Sequence, residues 1–230
     1  MRDGTLDIIY SLLTWLPGSV VVLVLMSMAR AHVAHMLGDP TPRLMDRLGI
    51  NPLKHIDPVG TLAIPAALAL IQAPVFGWGK SLPIDERNFP RPRSDMAVVA
   101  LSGPAVALLI GAIAAVLVAA VAGPGGAPEG GVPGYLFDCL FALLVTSCVL
   151  AIFNLLPIPG FSGGKILEAL LPRKAADEFA ALGAYSLHIL VALIVIMPML
   201  SPRLDIFRAV VAPVAQLIVQ FFLWGAGAGG

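Results

Sequence analysis

The chain has 230 residues, of which 58% are hydrophobic and only 12% charged, and its mean hydropathy is +0.92. A soluble domain carries roughly 25% charged residues, so a water-soluble globule is excluded and a bilayer is the expected solvent. Lysine plus arginine and aspartate plus glutamate balance at 14 each without a basic cluster, which removes nucleic acid as a partner on electrostatic grounds.

The start, MRDGTLDIIYSLL, has no small-residue cleavage site after its apolar run and reads as an uncleaved membrane element. A span needs about 20 mostly apolar residues. Six stretches meet that need: Val20 to Leu37, Val59 to Trp78, Met96 to Val121, Tyr135 to Leu156, Leu182 to Leu200 and Phe207 to Trp224. Ile8 to Leu16, ahead of Pro17 and Gly18, is too short to cross alone and is expected as a kinked extension of the first span. Prolines 65, 74, 104, 198 and 213 are tolerable in lipid, where neighbouring helices re-satisfy the freed carbonyls.

Between the spans, GDPTPRLMDRLGINPLKHIDPVGT and FGWGKSLPIDERNFPRPRSDM are rich in Gly, Pro and Asp. They read as turns and short strands packed over a helical core. The expected fold is therefore an all-α polytopic membrane protein of about six transmembrane helices with short membrane-associated strand and turn segments. It forms one domain over residues 1–224, with a flexible tail at 225–230. Cys139 and Cys148, nine residues apart on one apolar segment, face opposite ways and read as packing residues.

If all six segments cross, one side carries Arg2, Lys80, Arg87, Arg91, Arg93, Lys165, Arg173 and Lys174, and the other Arg43, Arg47, Lys54 and Arg203. Eight against four places both termini in the cytoplasm by the positive-inside rule. Either polar stretch, Gly38 to Pro58 or Gly79 to Arg93, could instead re-enter the membrane against protein.

The blocks GDPTPR, NPLKHIDPVGT, FGWGKSLP, NFPRPRSDM, ALSGP and FNLLPIPGFSGGKIL follow one another from about Val20 to Leu170. Together they resemble the site-2 protease family of intramembrane zinc metalloproteases, in its compact bacterial branch. The resemblance implies a first helix with His-Glu-x-x-His ahead of the GDPT turn. Two imidazoles at i and i+4 share a helical face and grip one zinc, while the glutamate polarises its water. It also implies a later aspartate as third ligand, and bacterial cytoplasmic-membrane localisation.

Anchored on Gly38 to Thr41, the histidine positions fall on Met26 and Arg30 and the glutamate position on Ser27; in the block NLLPIPGFSGG the aspartate position falls on Ser162. The family's asparagine of the middle helix is Ala107, and its proline before the aspartate loop is Gly160. What persists is the framework Asn154, Pro157, Pro159, Gly163 and Gly164, which with Arg30 forms the candidate binding set. A thioether, a guanidinium and a hydroxyl make no zinc cage, so no cofactor is expected.

His32 and His35 are turned about 200° and 140° from Arg30. With His55 they form only a weak alternative metal set, since no two of the histidines at 32, 35, 55 and 188 are four apart. His55 and Asp39 read as framework and turn residues, and Ser102 as a small residue at a helix contact. Arg30 lies well inside a span and needs a partner. It either donates to Ser162, Asn154 or nearby carbonyls or snorkels along the helix to the headgroups.

The expected function is a pseudoprotease that binds or regulates membrane-protein segments, with transmembrane helices of clients or an active relative, and the bilayer itself, as partners. Two alternatives stand beside it. One is an active zinc-dependent protease with unconventional ligands. The other is a small-solute transporter or channel, suggested by the intramembrane charge; Asp138 and Arg208 lie only near span ends.

Overall fold

The computed structural model describes residues 4–49, 51–63, 79–80, 82–123, 126–201 and 205–227. Among the described residues four helices are long and apolar enough to cross a membrane, or up to five if one sharply bent pair forms a single span. They are α1 (Gly4–Met36), α2 (Pro92–Ala122), α3 (Gly131–Leu155) and the C-terminal run Phe207–Gly225. The bent pair consists of Arg173–Tyr185 and His188–Leu200, which meet at 75°. The all-α polytopic membrane fold is as expected. Of the expected second span, residues 64–78 lie outside the described residues, as do 228–230 of the tail.

Ile8 to Leu16 extends the first span, since α1 is one helix of 33 residues with Pro17 inside it. Proline at 17 cannot donate to the carbonyl four residues back, which is Leu13. The Tyr135 hydroxyl of α3 donates to that carbonyl at 3.1 Å. The partner that makes Pro17 tolerable also ties α1 to α3.

Small residues let the spans approach closely. A Cβ on Gly18 would sit 3.3 Å from the Leu143 backbone, and one on Gly111 3.4 Å from Cys148 Sγ. Gly103 and Ala107 of α2 are buried in the same way, whereas Ala105 faces outward. Cys148 packs with Ala114, Ala115, Leu144, Ala215 and Val219, and both cysteines are free.

The end of α1 is set by its sequence. Gly38, at φ +111°, follows the helix, its N–H bonding the His35 carbonyl at 3.1 Å while Asp39 N–H reaches Ala34 O at 3.0 Å. This is a glycine-terminated Schellman cap. The Asp39 side chain then joins two distant stretches, accepting from the Asp85 backbone N–H at 3.0 Å and from Asn88 Nδ2 at 2.8 Å.

Those bonds correct the expected arrangement of loops. The stretches 38–58 and 79–93, assigned to opposite faces, lie at one end of the bundle. Lys80 N–H donates to the His55 carbonyl at 2.9 Å, so the chain is at the same place at residues 55 and 80. Among the described residues no strand forms in either stretch. Prolines at 40, 42, 52, 58, 83, 90 and 92 remove the donors a ladder would need.

At the same end, α4 (Ser162–Leu170) packs on α2 and is followed by α5 (Arg173–Ala181). Lys165 bonds Glu86 and Glu168, each at 2.9 Å, and Arg93 meets Asp177 at 3.3 Å. The opposite end gathers the start of α1 and the start of α3, where the Tyr10 hydroxyl donates to Asp138.

Candidate functional site

The residues that the resemblance assigns to zinc and its water lie on α1 and at the start of α4. Met26 is 0% exposed and packs with Val22 and Leu23 of its own helix, Ala107 of α2, and Leu150 and Ala151 of α3. The first histidine position and the asparagine position of the middle helix are thus parts of one apolar cluster. Its stability comes from burying hydrocarbon and a polarizable thioether.

Ser27 is 3% exposed and His55 1% exposed, and His55 Nδ1 lies 3.0 Å from Ser27 Oγ. The other nitrogen, Nε2, lies 3.0 Å from the Gly49 carbonyl oxygen. A carbonyl can only accept, so Nε2 carries the proton, and in the neutral ring Nδ1 accepts from the Ser27 hydroxyl. A hydroxyl bonded to an oriented imidazole is the arrangement of a nucleophile and its base. Here both partners are sealed, and the bond works as a tether holding the 49–55 segment against α1.

Of the partners expected for Arg30, the described residues supply a nearby carbonyl, and it belongs to the arginine's own helix. The Arg30 Nε donates to the Met26 carbonyl at 3.4 Å, and Nε, Cδ and Cγ lie 3.1–3.5 Å from where a Cβ on Gly103 would be. The Nε bond runs back along α1, away from the helix end. Among the described residues no hydrogen bond links it to Ser162 or Asn154. The missing side chain of Gly103 opens a notch on α2 that draws the arginine there.

Asn154 donates to the Leu150 carbonyl of its own helix at 2.9 Å. Beyond it the chain turns sharply through 156–161, with Ile158 and Pro159 buried and Pro157 exposed. Ser162 opens α4 and is 4% exposed. Gly163 and Gly164 have a clear steric role: a Cβ on Gly163 would collide with the Leu155 and Leu156 carbonyl oxygens, and one on Gly164 with that of Ile158. Gly160 adopts φ +85°, a conformation closed to proline, whose ring holds φ near −65°. The local backbone therefore differs from one built around the family's proline.

The candidate metal residues are not brought together. His32 Nδ1 bonds the Met28 carbonyl at 2.9 Å, His35 Nδ1 is buried without a partner among the described residues, and His55 is engaged at both nitrogens. Among the described residues no three His, Cys, Asp or Glu side chains gather as a metal site. A thioether packed in hydrocarbon, a guanidinium and two hydroxyls do not fit zinc at the resembling positions. Ser102 Oγ donates to the Val99 carbonyl of its own helix at 2.7 Å.

Asp39 is 0% exposed and accepts from Thr41 N and Oγ1 as well as from Asp85 and Asn88. Burial pushes its carboxyl up, but the Thr41, Asp85 and Asn88 bonds outweigh that effect and hold it below the usual carboxylate range. Burial pulls the Lys165 ammonium down, and its bonds to Glu86 and Glu168 more than reverse this. Sequence reasoning missed the Ser27–His55 bond and the long reach of Asp39. Both lie in the motif blocks, but spacing alone does not say which blocks meet.

The chain is 28% identical over 220 residues to a Bacillus subtilis (strain 168) protein named "Putative zinc metalloprotease YwhC". The similarity covers 89% of this chain and 97% of that protein. It supports a metalloprotease-like membrane protein across nearly the whole length. No protein-family model matches the chain, and no solved structure matches it.

Proposed function

We propose that this chain is a relative of the intramembrane zinc metalloproteases that no longer cleaves through a metal and instead binds membrane-protein segments, either clients or an active relative. The observation that carries the reading is Met26, sealed between Ala107, Leu150 and Ala151 where the resemblance places a zinc-binding imidazole. A retained helical framework without the chemistry to activate water leaves binding as the activity the fold can perform. The second reading, an active zinc protease with unconventional ligands, is favoured by the name of the Bacillus protein.

The deciding experiment compares the metal content of the purified chain with that of a version carrying Met26→His, Ser27→Glu, Arg30→His and Ser162→Asp. A metal-free native protein beside a restored one holding about one zinc per chain is expected. Stoichiometric zinc in the native protein overturns the reading.

The proposed location is a bacterial cytoplasmic membrane, with an orientation opposite to that counted from six spans. Arg43, Arg47, Lys54, Lys80, Arg87, Arg91, Arg93, Lys165, Arg173, Lys174 and Arg208 all belong to segments joined at the end where α1 finishes. The other end has no described lysine or arginine. The positive-inside rule turns the basic end toward the cytoplasm and the described ends of the chain away from it.

A further inference from the structure

Arg30 carries a charge that the described fold does not neutralise. It is half-buried, six residues inside the end of a membrane helix, and no described carboxylate lies within ion-pair distance of it. Its direction matters most. By bonding Met26 O one turn back, the side chain points deeper along α1, toward a level roughly 15 Å short of the Met36 end at 1.5 Å per residue. Packing on Gly103 fixes it there: Cγ, Cδ and Nε are the atoms nearest the notch, and among the described residues no hydrogen bond is made by the two terminal nitrogens. An ionised guanidinium in a span faces protein or a wet cavity and takes a partner, because the unpaired charge is expensive in hydrocarbon.

We propose that Arg30 is the receptor for a carboxylate carried by an acidic side chain within a partner's membrane-spanning segment. The inference rests on the segment-binding reading above and names what is recognised. Two N–H groups of a planar fork match the two oxygens of a carboxylate. A lipid phosphate fits less well, since it belongs at the headgroup level and the guanidinium points away from it.

The test uses the full chain reconstituted in phosphatidylcholine vesicles and two synthetic single-span peptides that differ only in one Glu or Gln, placed about 15 Å inside the basic end. Each carries a dansyl group read by energy transfer from the chain's tryptophans. The Glu peptide is expected to bind at least tenfold more tightly than the Gln peptide. That preference is expected to vanish in Arg30→Gln and to survive in part in Arg30→Lys. Equal binding of both peptides to the native chain overturns the role of Arg30 while leaving segment binding intact. A preference retained by Arg30→Gln overturns it too.

If neither peptide binds, segment binding fails for these sequences, and thermal unfolding in detergent tests Arg30 by itself. Dodecanoate, but not dodecanol, is expected to raise the midpoint of the native chain and leave Arg30→Gln unmoved. A response to dodecyl phosphate equal to or above that to dodecanoate, or no response to dodecanoate, overturns the carboxylate assignment.

Discussion

His55 stands 3.0 Å from Ser27, across 28 residues of sequence, with both side chains closed off from solvent. Where the resemblance places a catalytic glutamate, the chain has a hydroxyl whose proton is directed at a framework imidazole. Removing that hydroxyl leaves Nδ1 buried without a donor, at a cost of roughly 1–2 kcal/mol. Ser27→Ala is therefore expected to lower the thermal midpoint in detergent by about 3–6 °C, and Ser27→Thr to hold it near native. An unchanged midpoint for Ser27→Ala would show that the bond contributes nothing.

Asp39 makes stability depend on acid. Its Oδ1 takes the Thr41 and Asn88 donors and its Oδ2 the Asp85 N–H, so an amide at this site must aim N–H groups at another donor. Asp39→Asn is expected to cost roughly 2–3 kcal/mol at neutral pH. Because the folded carboxyl titrates below the unfolded one, this contribution is complete above the unfolded value of about 3.9 and is lost as pH falls through the folded value. Unfolding measured from pH 7 downward should show native and variant differing by a constant amount until about pH 4 and converging below it. A gap that persists into stronger acid contradicts the role given to the charge.

The long apolar helices were legible because the composition of Met96–Val121 or Tyr135–Leu156 alone demands a span, and the structure extends each by only a few residues. Met26, Ser27 and Arg30 stood out because GDPT fixes the register of the helix before it, and Ser162 because the block NLLPIPGFSGG fixes its own spacing. The side on which each loop lies could not be read, since it turns on whether Val59–Trp78 crosses, and hydropathy does not distinguish crossing from returning. One carboxylate bonded to Asp85 and Asn88 carries that information, and a sequence shows the carboxylate without its partners. The path of the Arg30 side chain was hidden for a similar reason, because it depends on the absent side chain of Gly103.

The turn between α3 and α4 leaves no room for a methyl group. Gly163→Ala and Gly164→Ala each press a Cβ into backbone carbonyl oxygens of 155–158, which no rotamer change relieves. A loss of roughly 3 kcal/mol or more is expected, visible as loss of the monodisperse peak in detergent chromatography. Gly49→Ala, with nothing within 4 Å of the added carbon, is the matched control and should behave as native. Normal behaviour of Gly163→Ala would mean that this turn is not packed as described.

Sidedness follows from the bonds that gather the loops. Asp39 to Asn88, Lys165 to Glu86 and Arg93 to Asp177 connect the polar stretches into one layer at the end of α1, and this layer holds nearly all the described lysines and arginines. Leu44 lies in that layer and is 80% exposed, whereas Glu129 is exposed at the opposite end, between α2 and α3. In a background with Cys139→Ser and Cys148→Ala, a cysteine at each position is probed in whole cells with a membrane-impermeant maleimide, with the outer envelope opened where there is one. The Glu129→Cys protein is expected to be labelled in intact cells, and the Leu44→Cys protein only after the inner membrane is breached. The reverse pattern would return the termini to the cytoplasm and place the basic layer against the rule that charge follows in nearly all short loops. Labelling of both in intact cells would break the single layer itself.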